Sequence, residues 1–111
     1  VVVVDDSLVR GTQTLSNLIP KLLALGFQRK NIHFRFAYAK ILSPCPWGKA
    51  TKSFKELAAI NPRTGRIRTE VEIAKMLRIG SCAFNQPEDL AKAVGLPLTR
   101  FCYDCAKQRK N

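Results

Sequence analysis

Two adjacent carboxylates, Asp5 and Asp6, close a run of four valines, Val1 to Val4, and are followed shortly by Gly11 and Thr12. Such a pair can accept hydrogen bonds from vicinal sugar hydroxyls. It can also oppose positive charge that develops at an anomeric carbon as its bond breaks. A Gly-Thr turn leading into a helix suits a phosphate: backbone N–H groups and the positive helix end surround the anion, Gly11 permits close approach, and the Thr12 hydroxyl donates. A lone Asp-Asp would read as an Asx-type turn, but the whole strand-loop-helix run points to a phosphorylated sugar. Thiol chemistry is the other candidate. Cys102-Tyr103-Asp104-Cys105 has the C-x-x-C spacing that lets two thiolates ligate one metal centre, and Cys45 and Cys82 bring the cysteines to four. In an intracellular chain these read as metal ligands or free thiols rather than disulfides.

The elements that must position these groups follow from periodicity. Four β-branched residues in succession at Val1 to Val4 predict a parallel strand buried on both faces. Leu15, Leu18, Ile19, Leu22 and Leu23 have helical spacing, and Gly26 supplies a stop. Pro20 leaves two options for this helix of about three turns: a late start with Asn17 as cap, or a kink. Ile32, Phe34 and Phe36 alternate with His33 and Arg35, which predicts a second strand and hence a β-α-β unit with both strands parallel. His33 there reads as an outward or core histidine rather than a ligand. Ser43 to Gly48 is irregular. Ser53 with Glu56, and Thr69 with Glu72, have capping-box spacing and predict helices through Leu57–Ala59 and through Ile73–Leu77, the latter ending at Gly80. Asn61 to Gly65 breaks the chain between them. A last helix runs from Pro87 to Gly95, and the tail from Pro97 carries no periodic pattern.

The 111 residues suffice for one domain, and 46% apolar with 24% charged residues exclude wholesale disorder. No apolar stretch approaches the roughly 20 residues of a membrane-spanning helix, and the valine run is too short for a signal core, so a cytoplasmic protein without membrane partners is expected. The net charge of +11 would attract phosphates or nucleic acid. Its lysines and arginines are spread along the chain, however, and a solvated surface accounts for most of them, so nucleic acid is not the expected partner. The chain opens at Val1, with Met76 its only methionine, and reads as a fragment.

The string Val3-Val4-Asp5-Asp6-Ser7-Leu8-Val9-Arg10-Gly11-Thr12 closely resembles the phosphoribosyl pyrophosphate (PRPP) signature of phosphoribosyltransferases, in the form found in glutamine amidophosphoribosyltransferases. The resemblance implies that Asp5 and Asp6 bind the ribose hydroxyls and associate with Mg²⁺. It implies that Ser7, Leu8, Val9, Arg10, Gly11, Thr12, Gln13 and Thr14 hold the 5′-phosphate, although the family usually has a second Thr where Gln13 stands. No catalytic side chain is assigned. Pro44-Cys45-Pro46-Trp47-Gly48 and the C-x-x-C at Cys102 and Cys105 resemble two elements that, in iron-sulfur members, supply three ligands of a 4Fe-4S cluster. The fourth ligand would lie far upstream. Cys82 matches no family ligand and reads as a buried free thiol.

The implied fold is α/β: residues 1–42 as the C-terminal part of a phosphoribosyltransferase-type, Rossmann-like domain, and residues 43–111 as a helical extension with the cluster cysteines. The implied activity of a complete enzyme is formation of 5-phosphoribosylamine from PRPP and glutamine-derived ammonia, the committed step of purine synthesis, in a homo-oligomer. The isolated chain is expected to be inactive. Departures from the family stand at Gly48-Lys49-Ala50 and at Lys107-Gln108. Two other readings compete. One is a basic nucleic-acid-binding module stapled by zinc at Cys45, Cys82, Cys102 and Cys105; the other is a non-catalytic domain that binds PRPP as a regulator.

Overall fold

The computed structural model describes residues 1–12, 14–49 and 51–109. Gln13 and Ala50, both singled out by the sequence, lie outside the described residues. Three short parallel strands form one sheet in the order β1 (Val2–Asp5), β2 (His33–Phe36), β3 (Ser81–Phe84). The register sets Val3 beside Phe34 and Asp5 beside Phe36, and Phe34 beside Cys82 and Phe36 beside Phe84. The α/β class and the β-α-β opening are therefore as expected. The third strand was not legible: Ser81-Cys82-Ala83-Phe84 contains no β-branched residue, and its pairing with β2 overrides weak local propensity.

Because the strands follow one another in spatial order, two right-handed crossovers put both connecting helices on the same face. The core shows the result. Ile19 of α1 (Ile19–Ala24) and Ile73 and Leu77 of α2 (Glu70–Leu77) join Phe34, Phe36 and Leu8 in one buried cluster. Phe36 links the strands through ring contacts at 5.7 Å to Phe34 and 4.9 Å to Phe84. The other face carries Val2 and Val4 beside His33 and Arg35, and the two valines are 60% and 75% exposed. The expectation of a strand buried on both faces is thus corrected: among the described residues α1 and α2 share one core, and Val2 and Val4 stay exposed on the other face. His33 faces Ser81 across the open face, with Nδ1 2.8 Å from Oγ.

Pro20 is accommodated by a wide π-type turn, Thr14–Leu18, which runs directly into α1 and places Pro20 in that helix's first turn. A π turn relieves the clash that Pro20 would create one α turn back. Asn17 lies inside this turn and is not a cap. The helix expected after Ser53 is reduced to one 3₁₀ turn, Phe54–Glu56, with no side-chain cap. Glu56 is engaged elsewhere, as described below. The second capping box forms in full: Thr69 Oγ1 accepts from Glu72 N–H and Glu72 from Thr69 N–H. That helix ends at Arg78 in the left-handed conformation (φ 56°), two residues before the predicted Gly80. The Arg29 guanidinium donates to the Arg78 carbonyl at 3.2 Å, which helps satisfy the helix end. Helix α3 (Pro87–Val94) starts at Pro87 and closes at Gly95 as expected. Among the described residues no helix is long and apolar enough to cross a membrane.

Gly80 is needed for close approach rather than for helix termination. A Cβ there would stand 2.3 Å from the Lys30 carbonyl oxygen and 2.7 Å from His33 Cε1. Gly80→Ala is expected to cost about 1–3 kcal/mol in chemical denaturation; an unchanged midpoint would show that the β2–β3 junction yields. The Glu72 carboxyl is held at about 2 by the Arg66 guanidinium and the Thr69 N–H, below its ordinary 4.5. Its folded value lies below the unfolded one, so its contribution is present above about pH 4.5 and is lost as pH falls toward 2. Glu72→Gln should flatten part of the decline in melting temperature across that window, and an identical slope in the variant would rule the cap out as its source.

Candidate functional site

The C-terminal end of β1 opens into the segment that sequence selected. The Asp5 carbonyl accepts from Ala37 N–H and the Asp6 carbonyl from Tyr38 N–H, each at 2.9 Å, so the β1–β2 ladder continues past the strands. The two carboxylates are thereby carried to the rim of the sheet. Asp5 Oδ1 accepts from Asp6 N–H at 2.9 Å and Asp6 Oδ1 from Ser7 N–H at 2.6 Å. Each leaves its second oxygen for other partners.

Beyond them the loop is anchored from beneath. Leu8 is only 2% exposed and belongs to the main core, so its backbone borders the site while its side chain pins the loop. The Val9 carbonyl accepts from Ala58 N–H at 2.8 Å. Gly11 adopts φ +79°, a left-handed conformation that a side chain would strain, and a Cβ there would meet Leu77 Cδ2 at 3.6 Å and Ala58 Cβ at 3.9 Å. The Arg10 guanidinium meets the Glu56 carboxylate through Nε and through NH2, each 3.1 Å from Oε2. The pair is half exposed and adds at most about 1 kcal/mol of stability. Its consequence is orientation, since it ties the loop's cation to a segment 46 residues further on.

The cleft above this loop has a volume of about 760 Å³, in the usual range for small-molecule sites. It is bordered by Asp5, Asp6, Ser7, Leu8, Val9, Arg10, Gly11, Thr12 and Thr14, every loop residue named from sequence apart from Gln13. Three further residues border it that sequence reasoning missed: Asn17, Leu18 and Lys21. Their spacing from Thr14 (three, four and seven residues) is that of a single helical face, a signal that could have found them. Lys21 brings a second cation to the cleft that Arg10 also borders. With Asp5 and Asp6 in the same lining, the cleft has both signs of charge, which suits a ligand with hydroxyls and phosphates.

The cysteines are arranged differently. Leu42 N–H and Ser43 N–H both donate to the Cys105 carbonyl, at 2.7 and 3.0 Å, and Ser43 Oγ donates to the Lys107 carbonyl. The C-x-x-C tail therefore lies along the segment that leads into Cys45. Tyr38 OH stands 3.7 Å from Cys105 Sγ, and burial together with Cys105 pushes its phenol upward in pKa, keeping it protonated. All four cysteines are free thiols. Among the described residues, no three His, Cys, Asp or Glu side chains are grouped so that they could hold a metal ion. Neither a three-thiol cluster site at Cys45, Cys102 and Cys105 nor a four-thiol zinc staple is assembled. Cys82 could not join one without leaving β3, where it is buried and donates to the Glu70 carbonyl at 3.3 Å. Burial, with Glu70 nearby, raises its pKa to about 11.

The sequence is 39% identical over 97 residues to the amidophosphoribosyltransferase of Methanocaldococcus jannaschii, which covers 86% of this chain and 18% of that protein. It is 38% identical over 105 residues to the chloroplastic amidophosphoribosyltransferase 1 of Arabidopsis thaliana, covering 95% of this chain and 17% of the relative. The Synechocystis amidophosphoribosyltransferase matches at 29% over 109 residues, or 98% of this chain and 20% of the relative. The chain thus spans about a fifth of the length of the curated relatives it matches. No family model matches it. Thiol-specific labelling of the native chain near pH 8 should modify exposed Cys102 first and Cys82 last. Early labelling of Cys82 would mean that β3 opens readily.

Proposed function

Over the segment it spans the chain belongs to the amidophosphoribosyltransferase family, and on that premise we propose that its first loop is the ribose-phosphate half of a PRPP site. The observation that carries this reading is the single cleft bordered by Asp5, Asp6 and the loop through Thr12 and Thr14. Asp5 and Asp6 would accept hydrogen bonds from the ribose 2′- and 3′-hydroxyls through their outward oxygens. Ser7 to Thr14 would receive the 5′-phosphate on backbone N–H groups and hydroxyls, with Arg10 and Lys21 adding charge. Mg²⁺ would arrive with the pyrophosphate, since it takes few protein carboxylates and fills its shell with phosphate oxygens and water. Asp5 and Asp6 are oxygen ligands of the right kind for that role, and when bound the ion would neutralise the leaving pyrophosphate.

Within a longer chain, ammonia released from glutamine would displace pyrophosphate at C1 to give 5-phosphoribosylamine, the opening step of purine synthesis. The carboxylate pair would then face the carbon on which positive charge develops. A cytoplasmic, homo-oligomeric enzyme is the proposed setting; the matched plant relative is named chloroplastic. A 4Fe-4S cluster at Cys45, Cys102 and Cys105 rests on the resemblance alone, and no step is derived through it.

The test is calorimetric titration of the 111-residue chain with PRPP and Mg²⁺, alongside an assay for phosphoribosylamine. Binding without turnover is expected, with Asp5→Asn and Asp6→Asn each weakening it about tenfold or more through loss of charge-assisted hydrogen bonds. Affinity that survives both substitutions would remove the ribose assignment. Turnover above background would overturn the inactivity of the isolated chain.

A further inference from the structure

Glu56 does not border the cleft at the first loop, but Arg10 does. The Glu56 Oε2 stands 3.1 Å from both Nε and Nη2 of that arginine. Whatever Glu56 does to a ligand in the cleft passes through the guanidinium. The carboxylate is placed by a fixed segment, since the four residues after it, Leu57, Ala58, Ala59 and Ile60, are all buried. The Arg68 guanidinium donates to the Ala58 carbonyl at 2.7 Å and to the Ile60 carbonyl at 2.8 Å, and Arg68 N–H donates to the Ala59 carbonyl at 2.8 Å. One residue thus secures three successive carbonyls. Toward the loop, Ala58 N–H donates to the Val9 carbonyl at 2.8 Å, so adjacent positions are held by backbone at Val9 and by side chain at Arg10.

A carboxylate in this place can act on a bound phosphate in two opposed ways. It can repel the anion and compete for the cation, or it can hold the cation in the geometry the anion needs. The two side chains are 50% and 37% exposed, so water screens the repulsion, and salt damps it over about 8 Å at physiological ionic strength. Immobilising a long side chain on binding weakens affinity about two- to tenfold, a loss that an arginine already held avoids. Two contacts also fix the guanidinium plane, and a guanidinium recognises phosphate oxygens by the direction of its N–H groups. Positioning outweighs repulsion.

We propose that Glu56 is a positioning residue for the first loop, holding the Arg10 guanidinium so that it meets the 5′-phosphate of the ligand without rearrangement. The proposal rests on the PRPP reading and adds to it a residue 46 positions beyond Arg10 that touches no ligand atom. Its test is calorimetric titration of the 111-residue chain with PRPP and Mg²⁺, and with ribose 5-phosphate, at constant ionic strength. The variants are Glu56→Ala, Glu56→Gln, Arg10→Gln and the double variant Arg10→Gln with Glu56→Ala. Glu56→Ala should weaken both ligands about three- to tenfold. Glu56→Gln, whose amide oxygen still accepts from Nε and Nη2, should stay within about twofold of the unaltered chain. With Arg10→Gln in place, removing Glu56 should weaken binding no further, as for two residues that act through one interaction.

Unchanged or tighter binding by Glu56→Ala would overturn the proposal, the second outcome making Glu56 a competitor for the cation. Equal weakening by Glu56→Ala with and without Arg10 would also overturn it and assign Glu56 to folding of the loop. Glu56→Gln as weak as Glu56→Ala would overturn orientation through hydrogen bonds. Each of these leaves the PRPP reading standing, whereas failure of the unaltered chain to bind either ligand would remove that reading and the role of Glu56 with it.

Discussion

The whole arrangement depends on β2 being held in parallel register by a strand on each side. With β1, β2 and β3 in spatial order, α1 and α2 must share one face, and Phe34, Phe36 and Phe84 form the surface on which they rest. Burial of this aromatic layer is the largest favourable contribution the short strands can make, since four residues per strand supply few hydrogen bonds. The same register delivers the end of β1 to the end of β2. Asp5 and Asp6 continue the ladder to Ala37 and Tyr38, and the carboxylates therefore project from a fixed rim rather than from a free loop.

The loop that follows is supported by residues remote in sequence. Leu8 fills the core, Val9 is hydrogen-bonded to Ala58, and Arg10 reaches Glu56. The later part of the chain thus serves the earlier part as a floor. The Phe54–Glu56 turn shows how this changes local structure. Glu56 has the spacing of a capping residue, yet its carboxylate is engaged by Arg10, and the segment stays a single 3₁₀ turn. A half-exposed ion pair changes stability little, but it fixes where the loop's cation stands.

Charge and thiols are distributed with similar selectivity. The net +11 is not uniform in effect: at the cleft beside the first loop, Asp5 and Asp6 stand with Arg10 and Lys21, so both signs of charge border it. The thiols range from Cys82, sealed in β3 and raised in pKa, to Cys102, exposed on the tail. Hydrogen bonds from Leu42 and Ser43 to Cys105 lay the tail against the segment before Cys45 without grouping the thiols as metal ligands.

From sequence alone, the β-α-β opening, the complete capping box at Thr69 and Glu72, the Pro87-to-Gly95 helix and the loop bordering the cleft were all legible. Each rests on local chemistry: β-branched runs, cap spacing, and glycines at positive φ such as Gly11 and Gly95. Tertiary structure alone decided the rest. β3 exists because β2 offers it an edge, Val2 and Val4 are exposed because both crossovers turn to the same side, and Gly80 is required by the Lys30 carbonyl rather than by a helix end. Asn17, Leu18 and Lys21 reach the cleft because the π turn before Pro20 carries the helix past the loop, and Glu56 meets Arg10 across 46 residues. These outcomes depend on which surfaces meet, and contacts between distant segments leave no periodic trace in the residues that make them.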